Sequence, residues 1–128
     1  MKKIIAIRHE NKYEMERRVP IIPDHAGSLI NKGYEIHVQS SAKRVFSDDE
    51  YRNAGAIVNN DISDADIIFG VKEIPMQDLM PGKTYMFFSH VIKGQPYNMP
   101  MLKRLMELKC NLIDYEKVTD EFNKRVIF

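Results

Sequence analysis

The chain of 128 residues is long enough to bury one core and too short for two ordinary domains, so it reads as a single domain. Hydrophobic residues at 44% and charged residues at 29% exclude a disordered or collagen-like chain. Nineteen Lys and Arg against eighteen Asp and Glu leave a net charge of +1, which excludes a basic surface for nucleic acid or an anionic membrane.

The start, MKKIIAIRHE, carries four apolar residues before Arg8, too few for a signal peptide or a membrane span, and predicts a cytoplasmic protein. Ile4-Ile5-Ala6-Ile7 reads as a buried strand, followed by a charged loop through Arg17 and Arg18. Pro23 suits the first position of a helix that ends at Gly33, with Ala26, Leu29 and Ile30 on its apolar face. Tyr34 to Val38 alternates with period two and predicts a second strand. Ser47-Asp48-Asp49-Glu50 fits a capping box, opening a short helix through Ala54 that stops at Gly55. Ala56 to Val58 is a third, brief strand.

Asp66 to Val71 and Tyr85 to Ser89 are continuous apolar runs of strand length, the pattern of central strands in a parallel sheet covered on both faces. Asn98-Met99-Pro100 opens a longer helix in which Leu102, Leu105, Met106 and Lys109 form one apolar and one basic face. Asn111 to Ile113 returns to the sheet. Strands alternating with helices at this spacing predict an α/β domain, doubly wound, with a mainly parallel sheet and helices on both faces. The apolar ending, Lys124 to Phe128, reads as an element entering a core and predicts a fragment of a longer protein.

Ligands of open parallel sheets bind beyond the carboxyl ends of the strands. That edge collects Arg17 and Arg18 after the first strand, Lys72 and Glu73 after DIIFGV, His90 after YMFFS, and Asp114 and Glu116 after the last strand. Each also has an ordinary reading. Lys72 and Glu73 taken singly read first as solvated loop charges and Arg17 and Arg18 as a surface pair, while His90 reads equally as a satisfied, half-buried histidine. Their convergence on one edge is what favours an acid/base site. His9, His25 and His37 show no metal-ligand spacing with one another or with the single cysteine, Cys110, so no metal is expected. The glycines form neither GxGxxG nor a Walker pattern, so any nucleotide is expected on another domain.

The succession Glu16-Arg17-Arg18-Val19-Pro20, Gly70-Val71-Lys72-Glu73-Ile74-Pro75, Phe87-Phe88-Ser89-His90 and Leu112-Ile113-Asp114-Tyr115-Glu116 resembles the amino-terminal domain of alanine dehydrogenase, transhydrogenase and saccharopine dehydrogenases. RVFSDDEY at 44–51, SHVIKGQPYNMP at 89–100 and LIDYEK at 112–117 resemble the saccharopine-forming, lysine-ketoglutarate reductase type. This resemblance implies an acid/base pair of Lys72 and His90. It implies substrate contacts from Arg18, which binds a carboxylate, from Glu116 and Arg125, which line the same cleft, and from Glu73, which tunes the neighbouring lysine. It also implies NAD(H) or NADP(H) held mainly by a further domain, with an amino acid and a 2-oxo acid as small-molecule partners, and is compatible with a homo-oligomer. One departure is Ile22, where family members often carry Thr before the helix-opening Pro, so a side-chain cap is lost.

An arginine offers a planar fork to a carboxylate, and a histidine near its reference pKa of about 6.5 can donate and accept at neutral pH. A partly desolvated lysine, or one beside other cations, can be lowered into the same range. These are the groups needed to condense lysine with 2-oxoglutarate. The rivals are an alanine dehydrogenase-type domain and a stand-alone ligand-binding α/β domain. A phosphorylated receiver module fits poorly, because His9-Glu10 and Asn59-Asn60-Asp61 do not supply its acidic cluster and its acceptor aspartate.

Overall fold

The computed structural model describes residues 2–89, 99–125 and 127, with Glu116 described in its backbone alone. Six strands, β1 (Ile4–Ile7), β2 (Glu35–Val38), β3 (Ile57–Val58), β4 (Ile67–Phe69), β5 (Thr84–Phe87) and β6 (Asn111–Asp114), form one sheet in the order β3-β2-β1-β4-β5-β6. Every neighbouring pair is parallel. The chain winds outward from β1 to β3, then returns to the other side of β1 and runs out to β6. The carboxyl ends of β1 and β4 therefore flank the switch point, where adjacent loops leave in opposite directions and open a crevice.

Two apolar clusters cover the two faces. On one, α1 (Pro23–Asn31) and α2 (Asp48–Asn53) bury Ala26 and Tyr51 against Ile5, Ile7, Ile36 and Val38. On the other, α3 (Met99–Glu107) buries Met101 and Leu105 against Ala6, Ile68, Tyr85 and Phe87. Alternation along β1 makes this possible, since Ile5 and Ile7 serve one cluster and Ala6 the other.

The helix ends follow the sequence signals. Ile22 caps α1 with no side-chain hydrogen bond, and Gly33, at φ 101°, turns the chain into β2. Ser47 and Glu50 form the reciprocal capping box of α2, and Gly55 follows at φ 103°. Two expectations need correction. Met106 is 71% exposed and Lys109 lies past α3 in a left-handed conformation, so the buried stripe is Met101 and Leu105 with Leu102 partly buried. β4 also stops at Phe69 rather than Val71, because the Val71 amide leaves the ladder for a side chain described below. The expected helix start at Asn98 lies outside the described residues.

Candidate functional site

β1, β4, β5 and β6 are consecutive in the sheet and parallel, so the segments that follow them lie side by side on one rim. Arg18, Val19 and Pro20 from the β1 loop, Phe69 of β4 and Val71 after it, Met86 of β5 and Phe88 after it, Tyr115 after β6, and Ile127 line a mostly apolar cleft of about 410 Å³ there. That is within the size range of small-molecule sites. Phe88 and Tyr115 pack edge to face with ring centroids 4.9 Å apart, forming a rigid wall.

Arg18 provides the cation at this cleft. Its Nε donates to Glu16 Oε2 at 2.9 Å and its Nη2 to Glu16 Oε1 at 2.6 Å, a two-pronged pair. The arginine side chain is 60% exposed and the glutamate 6%, so the carboxylate anchors the guanidinium from below and leaves its outer face to solvent. The hydrogen bonds from Arg18 hold the Glu16 carboxyl below its ordinary range, and Glu16 in turn raises Arg18. A substrate carboxylate at this site would meet a guanidinium already held in place.

Lys72 follows β4 at the same rim and is half-buried. Its amide and that of Val71 donate to Glu10, a buried carboxylate from the β1 loop, at 2.8 and 3.0 Å. Burial pushes the Glu10 carboxyl up, opposed by the two amides and by the positive charge of Arg8. Arg8 is itself buried, donating to the His9 carbonyl, Asn11 Oδ1 and Asp78 Oδ2, each at 2.8 Å. Burial lowers Arg8 and also His9, whose proton is further repelled by Arg8. Tyr115 is raised by burial and then by the negative charge of Glu10, so it is a neutral hydroxyl at physiological pH.

Of the residues singled out from sequence, Arg18 and Lys72 reach this rim. Glu73, its side chain 11% exposed, pairs with Lys12 beside a second cleft lined by Ile74, Pro75 and Met101. Arg125 is exposed on the carboxyl-terminal turn, donating from Nε to the carbonyl of cleft-lining Ile127 at 2.8 Å. His90 lies outside the described residues, and of Glu116 only the backbone, directly after β6, is described. Sequence reasoning overlooked Glu10 and Glu16 as site residues. For Glu16 a signal was available, since it directly precedes Arg17 and Arg18, whereas nothing local marked Glu10. Sequence reasoning also counted Asp114 among the ionisable groups at the rim; Asp114 is buried and accepts hydrogen bonds from the Ser89 hydroxyl and, at 3.2 Å, the Ser89 amide.

RVFSDDEY is a structural unit. Arg44 donates to the carbonyls of Gln39 at 2.7 Å and Phe46 at 2.9 Å, pairs with Asp48, and lies 4.9 Å from the centroid of the Tyr51 ring. Tyr51 donates to the Ile21 carbonyl at 2.6 Å, and burial pushes its hydroxyl up to about 12. Among the described residues no three His, Cys, Asp or Glu are grouped to hold a metal ion, and no helix is long and apolar enough to cross a membrane.

An all-parallel six-stranded sheet with helices packed on it defines the class as a Rossmann-like α/β domain. The chain belongs to the alanine dehydrogenase/PNT N-terminal domain family, which it matches over residues 6–128. It is 44% identical over 126 residues to alpha-aminoadipic semialdehyde synthase, mitochondrial, of Bos taurus, covering 98% of this chain and 14% of that protein. It is 35% identical over 126 residues to saccharopine dehydrogenase (NAD(+), L-lysine-forming) of Candida glabrata, covering 94% of this chain and 34% of that protein. The chain thus spans about one seventh of the length of the first relative and one third of the second. The structure of an L-alanine dehydrogenase superposes with a TM-score of 0.78 at 21% identity, covering 94% of this chain and 34% of that one. The Sinorhizobium meliloti transhydrogenase does so at 0.77 and 21%, covering 89% and 35%. Both share the fold.

Proposed function

We propose that this chain is the substrate-binding and acid/base domain of an NAD(P)-dependent saccharopine dehydrogenase, acting on lysine and 2-oxoglutarate. The observation that carries this reading is the 44% identity to an alpha-aminoadipic semialdehyde synthase along 98% of the chain, joined to a cleft lined by Arg18 at the strand ends that Lys72 also follows. In this reading Arg18 binds a carboxylate of the oxo acid through its solvent-facing edge, steadied by Glu16. Lys72 and His90 exchange protons with the amine and the departing hydroxyl, Glu73 tunes the neighbouring Lys72, and Glu116 and Arg125 line the same cleft.

A dinucleotide does not fit this chain's first loop. The span from Arg8 to Ile22 contains no glycine, and its interior is taken by the side chains of Arg8, Glu10 and Glu16. A phosphate cradle needs backbone to approach the pyrophosphate closely at a helix start. No hydride step is therefore assigned to this chain, and NAD(H) or NADP(H) belongs to a partner domain.

The test is steady-state kinetics of an enzyme carrying this domain. Lysine with 2-oxoglutarate should support NAD(P)H oxidation far better than ammonia with pyruvate. Preference for pyruvate and ammonia would reassign the domain to alanine chemistry.

A further inference from the structure

A buried carboxylate of the β1 loop, Glu10, joins that loop to the segment that follows β4. Glu10 Oε2 accepts from the Val71 amide at 3.0 Å and Oε1 from the Lys72 amide at 2.8 Å, so each oxygen holds one of two consecutive amides. The sheet ladder ends just before them, where the Gly70 amide donates to the Met86 carbonyl at 2.9 Å. The Val71 carbonyl in turn accepts from the Phe88 amide at 3.0 Å. The backbone at Val71 and Lys72 is therefore held from the β1 side by Glu10 and from the β5 side by Phe88.

A carboxylate is a costly way to do this. Glu10 is only 7% exposed, and an apolar side chain would fill the same volume without a desolvation penalty. What an apolar side chain cannot do is accept from two amides at once. These two include the amide of Lys72, the acid/base group of the reading above.

We propose that Glu10 is a positioning residue for Lys72, whose buried carboxylate, delivered by the β1 loop, fixes where the lysine leaves the backbone at the rim. This rests on the acid/base reading of Lys72 for its functional meaning, but not for its test. Arg8, Glu16, Arg18 and Tyr115 are the charged and titratable groups whose fields reach Glu10.

The experiment uses the 128-residue chain, isotopically labelled for amide NMR, with competitive acetylation of its lysines by acetic anhydride read by mass spectrometry. In the wild type, the Val71 and Lys72 amide protons should titrate with the same midpoint as the Glu10 carboxyl carbon. In Glu10→Gln, hydrogen exchange at those two amides should rise about tenfold, as for loss of a charge-assisted hydrogen bond, and Lys72 acetylation should change about threefold or more relative to exposed Lys2 and Lys32. Glu10→Asp, one methylene shorter, should fall between. Amides that ignore the Glu10 titration would overturn the proposal, and that measurement needs no variant to fold. A chain-wide loss of stability with unchanged relative labelling of Lys72 would make Glu10 a packing residue only. None of these readouts is turnover, so they are separate from the catalytic reading, which fails if Lys72→Met leaves an enzyme carrying the domain fully active.

Discussion

Glu16 grips Arg18 at three points, accepting from Nε at 2.9 Å, Nη2 at 2.6 Å and the main-chain amide at 3.1 Å. Because these bonds lower the folded-state pKa of Glu16 below its reference of 4.5, the pair contributes stability above that value. The contribution is lost as pH falls through the folded value. Glu10 has the opposite sign. Burial raises its folded pKa above 4.5, so its contribution is most favourable below that value and declines as pH rises through the folded one. Urea midpoints measured from pH 3 to 8 should show Glu16→Gln removing part of the acid-side loss and Glu10→Gln removing part of the decline on the higher side. Parallel pH profiles for the wild type and both variants would refute the assignment.

The Arg44–Tyr51 unit makes a prediction about stability alone. Tyr51→Phe leaves the buried Ile21 carbonyl without its 2.6 Å donor and should cost about 1–3 kcal/mol. Arg44→Ala removes two bonds to carbonyls, the ion pair with Asp48 and the stacking on Tyr51, and should cost about 3–5 kcal/mol. Neither residue lines the cleft, so a Tyr51→Phe enzyme should keep its substrate affinity. Denaturant titration and a Michaelis constant for the oxo acid check the two halves.

How legible this was in sequence depended on whether a signal was local. The strands, the Ser47–Glu50 box and the stops at Gly33 and Gly55 come from period, capping and turn chemistry, which act over a few residues. The convergence of Arg18 and Lys72 on one rim followed from the parallel-sheet rule alone. What sequence could not show were pairings across 61 and 62 residues, where Glu10 meets Val71 and Lys72, because nothing local distinguishes a buried carboxylate from a solvated one. Met106 was misplaced for the converse reason. Its type fits an apolar stripe, but α3 is rotated so that Met101 and Leu105 face the sheet.

The lack of glycine between Arg8 and Ile22 leads to a third prediction. Titrating the purified chain with NADH or NADPH, followed by nucleotide fluorescence, should give no saturable binding, whereas a longer protein that includes a nucleotide domain should bind one or the other and turn over. Saturable micromolar binding by the chain would contradict the division of labour proposed above.

The last prediction separates binding from proton transfer. Lysine at position 18 keeps the charge beside Glu16 but replaces a planar fork with a point, so it can no longer hold Glu16 through two bonds and still present a matched edge to a substrate carboxylate. In an enzyme carrying this domain, Arg18→Lys should therefore raise the Michaelis constant for 2-oxoglutarate about ten- to hundredfold with a smaller change in kcat. His90→Gln should do the reverse. Loss of a positioned acid or base should depress kcat about a hundred- to ten-thousandfold and leave substrate binding closer to wild type. Steady-state kinetics of both variants with lysine and 2-oxoglutarate distinguish the two roles. A variant at Arg18 that loses kcat alone would move that residue from anchoring to chemistry, and an unimpaired His90 variant would remove the histidine from the reaction.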